Sequence, residues 1–272
     1  PEIGTAIAVA ESCRNLSVTG ATPVALTDGL NFGNPETADV QFQLTESIAG
    51  MSRAAEAFEI PIVSGNASMY NQSQGIDIFP TPIIGSLGLI EDVEKHSTAG
   101  FKSDGDVIVL MGTDSTWDDI DGLAGSEYLD YIHGKVEGQP KLDIALEIRT
   151  QAACREAITD ELIASAHDAS DGGVAVAIAE SAVIGEIGAS IDLAPGERWD
   201  AAMFGETQSR ILVSVKPVNL AALEAITAAN NVPTITIGSV GGDTLSFGDS
   251  ISLPLADVDD AWKNGFSRAT SD

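Results

Sequence analysis

The chain has 272 residues, of which 44% are hydrophobic, and this is enough to bury a large core and predicts two domains. Its apolar runs are shorter than the eighteen or so residues of a membrane span, and its N-terminus carries no signal-like segment, so we expect a soluble protein. Cys13 and Cys154 form no disulfide framework, which predicts a reducing cytoplasm. The net charge of −28 excludes nucleic-acid backbones and anionic membranes as partners.

The first hundred residues predict an α/β domain. Helical spacing of apolar residues over 3–19 predicts a helix that ends at Gly20; since no strand precedes it, we expect the domain to lack its first strands. "PVALTD" predicts a strand, "GLNFGNPE" a loop, and residues 39–58 a helix. The strands "IPIVSG" and "TPIIGSLGLIED" follow. Periodicity is lost over 94–106, which places the domain boundary near residue 100.

Residues 101–272 predict a second domain, in which strands and helices mix without a regular βαβ alternation. "DVIVLMG" predicts a strand, residues 142–165 a long helix, and "VAVAIAESAVIG" an apolar helix after the loop "HDASDGG". The later elements are the strands "GASIDL", "SRILVSV" and "TITIGSV", a helix from Pro217 to Ala229, a hairpin around Gly241 and Gly242, and a last helix near Trp262. The sequence therefore predicts an α+β fold.

Two polar segments follow predicted strands in the first domain. Asp28 ends a strand, where a carboxylate can bind a cation, although Asp-Gly is also a common turn pair. In "SGNASMYN", Gly65 permits close approach of a ligand, Asn66 offers an oxygen for Mg²⁺ and Ser68 can donate to a phosphate or amide oxygen. The alternative for this segment is an ordinary turn or helix cap.

Two further segments lie in the second domain. "SAHDASDGGVAVAIAE" places His167, Asp168 and Asp171 before an apolar helix, where a phosphate could bind. The alternative is that Ser170 or Asp171 caps the helix. "FGETQSR" adds Glu206 and Gln208, with an ordinary turn as the alternative. The chain contains neither a G-x-x-x-x-G-K-[ST] loop nor a strand-linked G-x-G-x-x-G motif. We therefore expect any nucleotide to bind by a geometry other than a Gly-rich phosphate loop.

Taken in order, the motifs resemble a known family. "ALTDGLNFGNPE", "PIVSGNASMYN", "TPIIGSLGLIEDV", "GSEYLDYIHG", "SAHDASDGGVAVAIAE" and "FGETQSRILVSV" are similar to the second half of the synthetase subunit of phosphoribosylformylglycinamidine synthase. The resemblance implies an aminoimidazole ribonucleotide synthetase-like fold, with a dimerising-type α/β domain followed by an α+β domain. It also implies ATP-dependent conversion of formylglycinamide ribonucleotide and glutamine-derived ammonia to formylglycinamidine ribonucleotide, with Mg²⁺ as cofactor.

The resemblance also assigns roles to residues and partners. It implies ATP contacts for Asp28 and Gly65, a magnesium ligand in Asn66 and a substrate contact in Ser68. Its catalytic histidine belongs to the first half of the enzyme, so we expect this chain to be inactive alone. The implied partners are that first half, a glutaminase subunit and a small accessory subunit.

A second, degenerate nucleotide site is implied by the pseudo-twofold repeat of the family. The residues at the matching positions are Arg14, Asn15, His167, Asp168, Asp171, Glu206 and Gln208. Two alternatives to the amidotransferase stay open: a non-catalytic nucleotide-binding scaffold, or a selenophosphate or aminoimidazole ribonucleotide synthetase of the same fold.

Overall fold

The computed structural model describes residues 1–113, 120–192 and 198–271 of the chain. It contains a three-stranded sheet near the N-terminus and a seven-stranded sheet after it, each with helices packed against it. The predicted α+β fold is confirmed.

The N-terminal part packs two helices against one face of its sheet. Its elements are α1 (Glu2–Ser17), β1 (Thr22–Asn31), α2 (Ala38–Ala57), β2 (Ile62–Ser68), β3 (Gln72–Ser73), β4 (Ile76–Asp77) and β5 (Thr81–Leu89). The sheet order is β2-β1-β5, with β1 parallel to β2 and antiparallel to β5. A core formed by residues such as Val9 of α1, Leu26 of β1 and Met51 of α2 joins the helices to the sheet.

Two predicted boundaries in this part are wrong. The loop expected after Asp28 begins later, because β1 continues to Asn31 and pairs with β2 on one side and β5 on the other. The strand expected to end at Gly65 likewise continues to Ser68. Turn-forming residues are held extended here because pairing across the sheet outweighs their local preference.

The described residues of the C-terminal part form seven strands and six α-helices. They are β6 (Val107–Met111), α3 (Glu127–His133), α4 (Ile144–Thr159), β7 (Ile163–Asp168), α5 (Gly173–Gly185), β8 (Ala189–Ile191), α6 (Trp199–Phe204), β9 (Ile211–Val215), α7 (Leu220–Ala229), β10 (Thr234–Val240), β11 (Thr244–Phe247) and β12 (Ile251–Pro254), with α8 (Leu255–Ala269) after them. Short 3₁₀ turns occupy Ile120–Leu123 and Pro217–Asn219. The predicted strand "GASIDL" is β8 as far as Ile191, and its last residue, Leu193, lies outside the described residues.

The seven-stranded sheet separates two cores. Its order is β12-β11-β8-β10-β6-β9-β7. On β6, Ile108 and Leu110 pack in the core that contains α5, whereas Val109 and Met111 pack in the core that contains α4 and α7. This alternation is the period of two that a strand buried on both faces requires.

Two further predictions in this part are wrong. The helix expected over 142–165 ends at Thr159, because Glu161 takes a left-handed conformation (φ 57°) and the chain then enters β7. The hairpin expected around Gly241 and Gly242 is a crossover instead, because β8 lies between β10 and β11. Gly188, just before β8, exchanges backbone hydrogen bonds with this glycine pair.

Within the described residues, no helix is both long and apolar enough to cross a bilayer. Both cysteines are free and buried, Cys13 on α1 and Cys154 on α4. Helix α1 contacts α4 and β7 as well as its own sheet, so it connects the two parts of the chain.

Candidate functional site

The four residues predicted to contact ATP, magnesium and the ribonucleotide lie near the carboxyl ends of two parallel strands. Asp28 of β1 lies opposite Gly65 of β2, and Asn31 lies opposite Ser68, with Asn66 between the two pairs. Carboxyl ends of parallel strands are where open α/β sheets bind ligands. The structure therefore brings these predicted residues to one edge of the sheet.

Gly65 makes room for the carboxylate of Asp28. A Cβ atom at position 65 would lie 2.2 Å from Asp28 Oδ1 and 2.6 Å from its Cγ, closer than carbon atoms approach. Any larger residue would push the carboxylate away from β2. The glycine thus fixes where the negative charge of Asp28 lies, a role that the sequence reasoning did not foresee.

Asp28 and Asn66 project from opposite faces of the sheet. Leu26 and Leu30 of β1 pack against the helices, and Asp28, midway between them, shares their face. Asn66 pairs with Gly29, whose side-chain position is on the other face. A single ion therefore cannot take both side chains as ligands from within this chain.

Asn66 is exposed. Its Oδ1 lies over Gly29, where a Cβ atom would stand in ordinary contact at 3.5 Å. An amide oxygen is a suitable single ligand for Mg²⁺, which usually completes its octahedron with phosphate oxygens and water. Among the described residues, no group of three or more His, Cys, Asp or Glu side chains is arranged to hold a metal.

The hydroxyl of Ser68 lies against the side chain of Asn71. Asn71 Nδ2 is 3.1 Å from Ser68 Oγ and 2.8 Å from the Ser68 carbonyl oxygen. The same amide donates to the carbonyl of Phe32, at the end of β1, over 3.1 Å. The ends of both strands are consequently fixed to one side chain.

The residues predicted for the second site divide between a buried cluster and an exposed loop. Arg14 on α1 is completely buried and donates to Glu147 Oε1 (2.7 Å) and Gln208 Oε1 (3.2 Å), with Asp168 Oδ2 at 3.9 Å from its Nε. Burial opposes the charge, but the carboxylates of Glu147 and Asp168 outweigh it and raise the pKa of Arg14. Its guanidinium faces no solvent, and its Nε has no hydrogen-bond partner.

His167 and Asn15 extend this cluster toward the surface. His167 Nε2 lies 3.1 Å from Glu180 Oε2, and its Nδ1 lies 3.5 Å from Asp168 Oδ1. Burial disfavours its charge, yet hydrogen bonds to Asp168 and Glu180 raise the pKa of His167 to about 10. The exposed Asn15, with its amide oriented to satisfy its neighbours, donates to Asp168 Oδ1 over 2.8 Å.

Glu206 joins two chain segments rather than facing open space. Its Oε1 accepts the backbone N–H of Gly172, just before α5, and of Glu127, the first residue of α3, each over 2.9 Å. Burial raises the pKa of Glu206, against the effect of these two N–H groups. Asp171, next to Gly172, is exposed. A carboxylate of the protein thus takes the N–H groups that a phosphate would use.

The sequence reasoning missed three residues of this cluster, two of them buried and the third partly exposed. Glu147 and Gln151 lie four residues apart on α4, and Gln151 Nε2 donates to Glu147 Oε1 over 2.8 Å. Both are fully buried or nearly so. Glu180 is the one acid within the apolar stretch of α5. The available signal was the spacing of Glu147 and Gln151, since two polar residues at i and i+4 on the buried face of a helix can bond to each other.

Comparison with known proteins gives matches to both parts. The profile described as AIR synthase related protein, N-terminal domain, matches residues 1–90. The profile described as AIR synthase related protein, C-terminal domain, matches residues 103–248.

Curated relatives and solved structures point to the same family as the two profiles. The chain is 43% identical over 97% of its length to phosphoribosylformylglycinamidine synthase subunit PurL of Anaeromyxobacter sp. strain Fw109-5, of which it spans 35%. The structure resembles T. maritima PurL complexed with FGAR (TM-score 0.75, 20% identity, 95% of this chain and 43% of that one). It also resembles T. maritima PurL complexed with ATP (TM-score 0.70, 18% identity, 95% and 41%). The resemblance inferred from the motifs is confirmed.

Proposed function

Because the chain belongs to the family of AIR synthase related proteins, we propose that it acts as part of an ATP-dependent carbon–nitrogen ligase of purine biosynthesis. The reaction would convert formylglycinamide ribonucleotide, ATP and glutamine-derived ammonia to formylglycinamidine ribonucleotide, ADP and phosphate. The observation that carries this proposal is the identity of 43% to a PurL subunit over almost the whole chain. The chain spans about a third of the length of the curated relatives it matches, so the activity belongs to a longer protein.

The site at the ends of β1 and β2 supports roles for four residues. We assign Asp28 and Gly65 to the nucleotide, because Gly65 leaves the space in which the Asp28 carboxylate lies. Ser68 is assigned to the ribonucleotide, since its hydroxyl lies at the last residue of β2. A ligand at the strand ends can reach both faces of the sheet, which reconciles these assignments with the opposite directions of Asp28 and Asn66.

Magnesium fits this site with Asn66 as one ligand. The amide oxygen is exposed and neutral, so phosphate oxygens and groups outside this chain would complete the coordination. When bound, the ion would neutralise charge on the phosphates during transfer. Asn66 itself would hold one coordination position and fix it relative to β2.

The open face of the three-stranded sheet supports a partner of like fold. Ile83, Leu87 and Leu89 of β5 are 57 to 64% exposed on the face away from α1 and α2. Apolar side chains clustered on one sheet face are typical of a covered interface. We assign this face to the first half of the same enzyme.

The other partners are assigned by similarity. A solved T. maritima assembly carries the name PurLQS. By analogy, we assign a glutaminase subunit and a small accessory subunit to the complex of this protein, in the cytoplasm.

A scaffold role fits the second set of residues better than a ligand site does. Arg14 is fully buried against Glu147, and Glu206 binds two backbone N–H groups of its own chain. Both arrangements form without a ligand, and of the Arg14–Glu147 pair only Arg14 Nε and Glu147 Oε2 have no hydrogen-bond partner. We infer that this cluster holds the two parts of the chain together.

The test is turnover of the full-length protein with its partners. Asp28→Asn and Asn66→Ala should each reduce kcat/KM by about a hundredfold or more, because each removes a group from the site of phosphoryl transfer. Asp39→Asn, an exposed acid in the first turn of α2, is the matched control and should leave turnover unchanged. Full turnover in folded Asp28 and Asn66 variants would instead favour the non-catalytic scaffold.

A further inference from the structure

Asn71 closes the turn that follows β2 and is tied to the ends of both central strands. Its Nδ2 donates to the carbonyl oxygens of Ser68 (2.8 Å) and Phe32 (3.1 Å), and its backbone N–H also donates to the Phe32 carbonyl (3.1 Å). The Phe32 N–H in turn donates to the Ser68 carbonyl over 3.0 Å. This network fixes the position of Asn71 relative to Ser68.

The amide of Asn71 offers the Ser68 hydroxyl both a donor and an acceptor. Nδ2 lies 3.1 Å from Ser68 Oγ, and Oδ1 lies 3.3 Å from it. A hydroxyl has one proton and two acceptor sites. Nδ2 has two protons for three acceptors, so the N–H directed at the Ser68 carbonyl is shared with Ser68 Oγ. This shared N–H occupies an acceptor site of the hydroxyl, whereas the longer contact with Oδ1 uses the proton. A substrate oxygen can therefore take the proton from Oδ1 while Nδ2 still holds Ser68 Oγ in place.

We propose that Asn71 is a positioning residue that directs the Ser68 O–H toward an oxygen of the bound ribonucleotide. This inference rests on the proposed function, in which Ser68 contacts that substrate. Asn71 touches no substrate atom itself and acts through the serine. The same hydrogen bonds would also be present if Asn71 served only to close the turn, so the test must separate the two roles.

Asn71→Asp separates the positioning role from the turn-closing role. It replaces the donor Nδ2 by a carboxylate oxygen and keeps the acceptor Oδ1. The carboxylate would attract the Ser68 proton and hold it away from the substrate, since hydrogen bonds to charged acceptors are the stronger ones. It would also lose the two bonds from Nδ2 to backbone carbonyls, so some stability is lost in either role. The discriminating quantity is KM for the ribonucleotide.

The experiment is a double-mutant cycle in the full-length protein with its partners. Ser68→Ala and Asn71→Asp should each raise the ribonucleotide KM about tenfold, and the double variant should raise it no further than Ser68→Ala alone. KM for ATP should stay near the wild-type value. Gln74→Glu adds the same charge at the exposed tip between β3 and β4 and should leave both constants unchanged.

Two results would overturn the proposal. An equal rise in KM from Asn71→Asp in the wild-type and Ser68→Ala backgrounds would show that Asn71 acts through the turn alone. An unchanged KM in Ser68→Ala would remove the contact through which Asn71 is proposed to act, even where the Asp28 and Asn66 variants confirm the proposed function. If Asn71→Asp does not fold, Asn71→Gln, which shifts the amide by one methylene, takes its place in the same cycle.

Discussion

Arg14 and Glu147 form an ion pair of 2.7 Å in which both side chains are completely buried. The pair joins α1, which packs on the three-stranded sheet, to α4, which packs on the seven-stranded sheet. Two charges removed from water are stable only when their remaining polar atoms find partners. Gln208 accepts from Arg14 and Gln151 donates to Glu147. Arg14 Nε and Glu147 Oε2 have no hydrogen-bond partner, and Asp168 Oδ2 lies 3.9 Å from that Nε.

Loss of Arg14 should destabilise the protein strongly. Arg14→Met removes the cation and leaves Glu147 and Asp168 buried without it, which costs about 3 to 5 kcal/mol of the free energy of unfolding. The measurement is chemical denaturation at neutral pH. Arg53→Met is the matched control, because the Arg53–Glu2 pair is equally short but about half exposed and should be worth at most about 1 kcal/mol. Similar losses in the two variants would contradict a structural role for the Arg14 cluster.

The charge on His167 should make stability depend on pH in the alkaline range. Its folded pKa of about 10 lies above the value of about 6.5 expected in the unfolded chain. A raised pKa means that the stabilisation is complete below about pH 6.5 and is lost as pH rises toward 10. Thermal unfolding from pH 6 to 10 should therefore show a falling Tm. His167→Gln should flatten that decline, and an unchanged slope would show that the imidazole is uncharged in the folded state.

Helix and strand identity followed from local patterns, but strand lengths did not. The stripe over residues 39–58 predicted α2 to within one residue at each end, since an amphipathic helix carries its signal in its own sequence. Asp28 to Asn31 and Ser64 to Ser68 contain turn-forming residues, and they are extended because β1 pairs with both β2 and β5. That information lies in distant parts of the chain.

In the candidate site, too, local motifs predicted part of the arrangement and distant contacts determined the rest. The motifs identified Asp28, Gly65, Asn66 and Ser68 as a group, and the register places them together. The face on which each side chain lies could not be predicted, because it depends on where the extended pairing begins after the irregularity between Leu26 and Thr27. The partners of Arg14 were also out of reach, since Glu147 is 133 residues away in the chain.

A methyl group at position 65 should displace the Asp28 carboxylate. Gly65→Ala places its Cβ 2.2 Å from Asp28 Oδ1, and a flexible carboxylate can rotate away at modest cost to folding. In the full-length protein we therefore expect a raised KM for ATP, about tenfold, with a small change in Tm. Gly4→Ala on α1 meets no atom within 4 Å and serves as the control. An unchanged KM for ATP in Gly65→Ala would separate the Asp28 carboxylate from the nucleotide.

A polar residue on the open sheet face should lower the free energy of unfolding of the full-length protein but not that of the chain alone. Leu87 is 64% exposed in this chain, so Leu87→Ser removes little buried surface from it. If the first half of the enzyme covers this face, the same change costs about 1.5 to 3 kcal/mol in the full-length protein, the value of burying one leucine side chain. Unfolding of both forms in denaturant measures the difference. Val218→Ser, 84% exposed at the start of the turn before α7, should cost little in either form. Equal, small effects of Leu87→Ser in the two forms would show that another surface of the chain meets the first half.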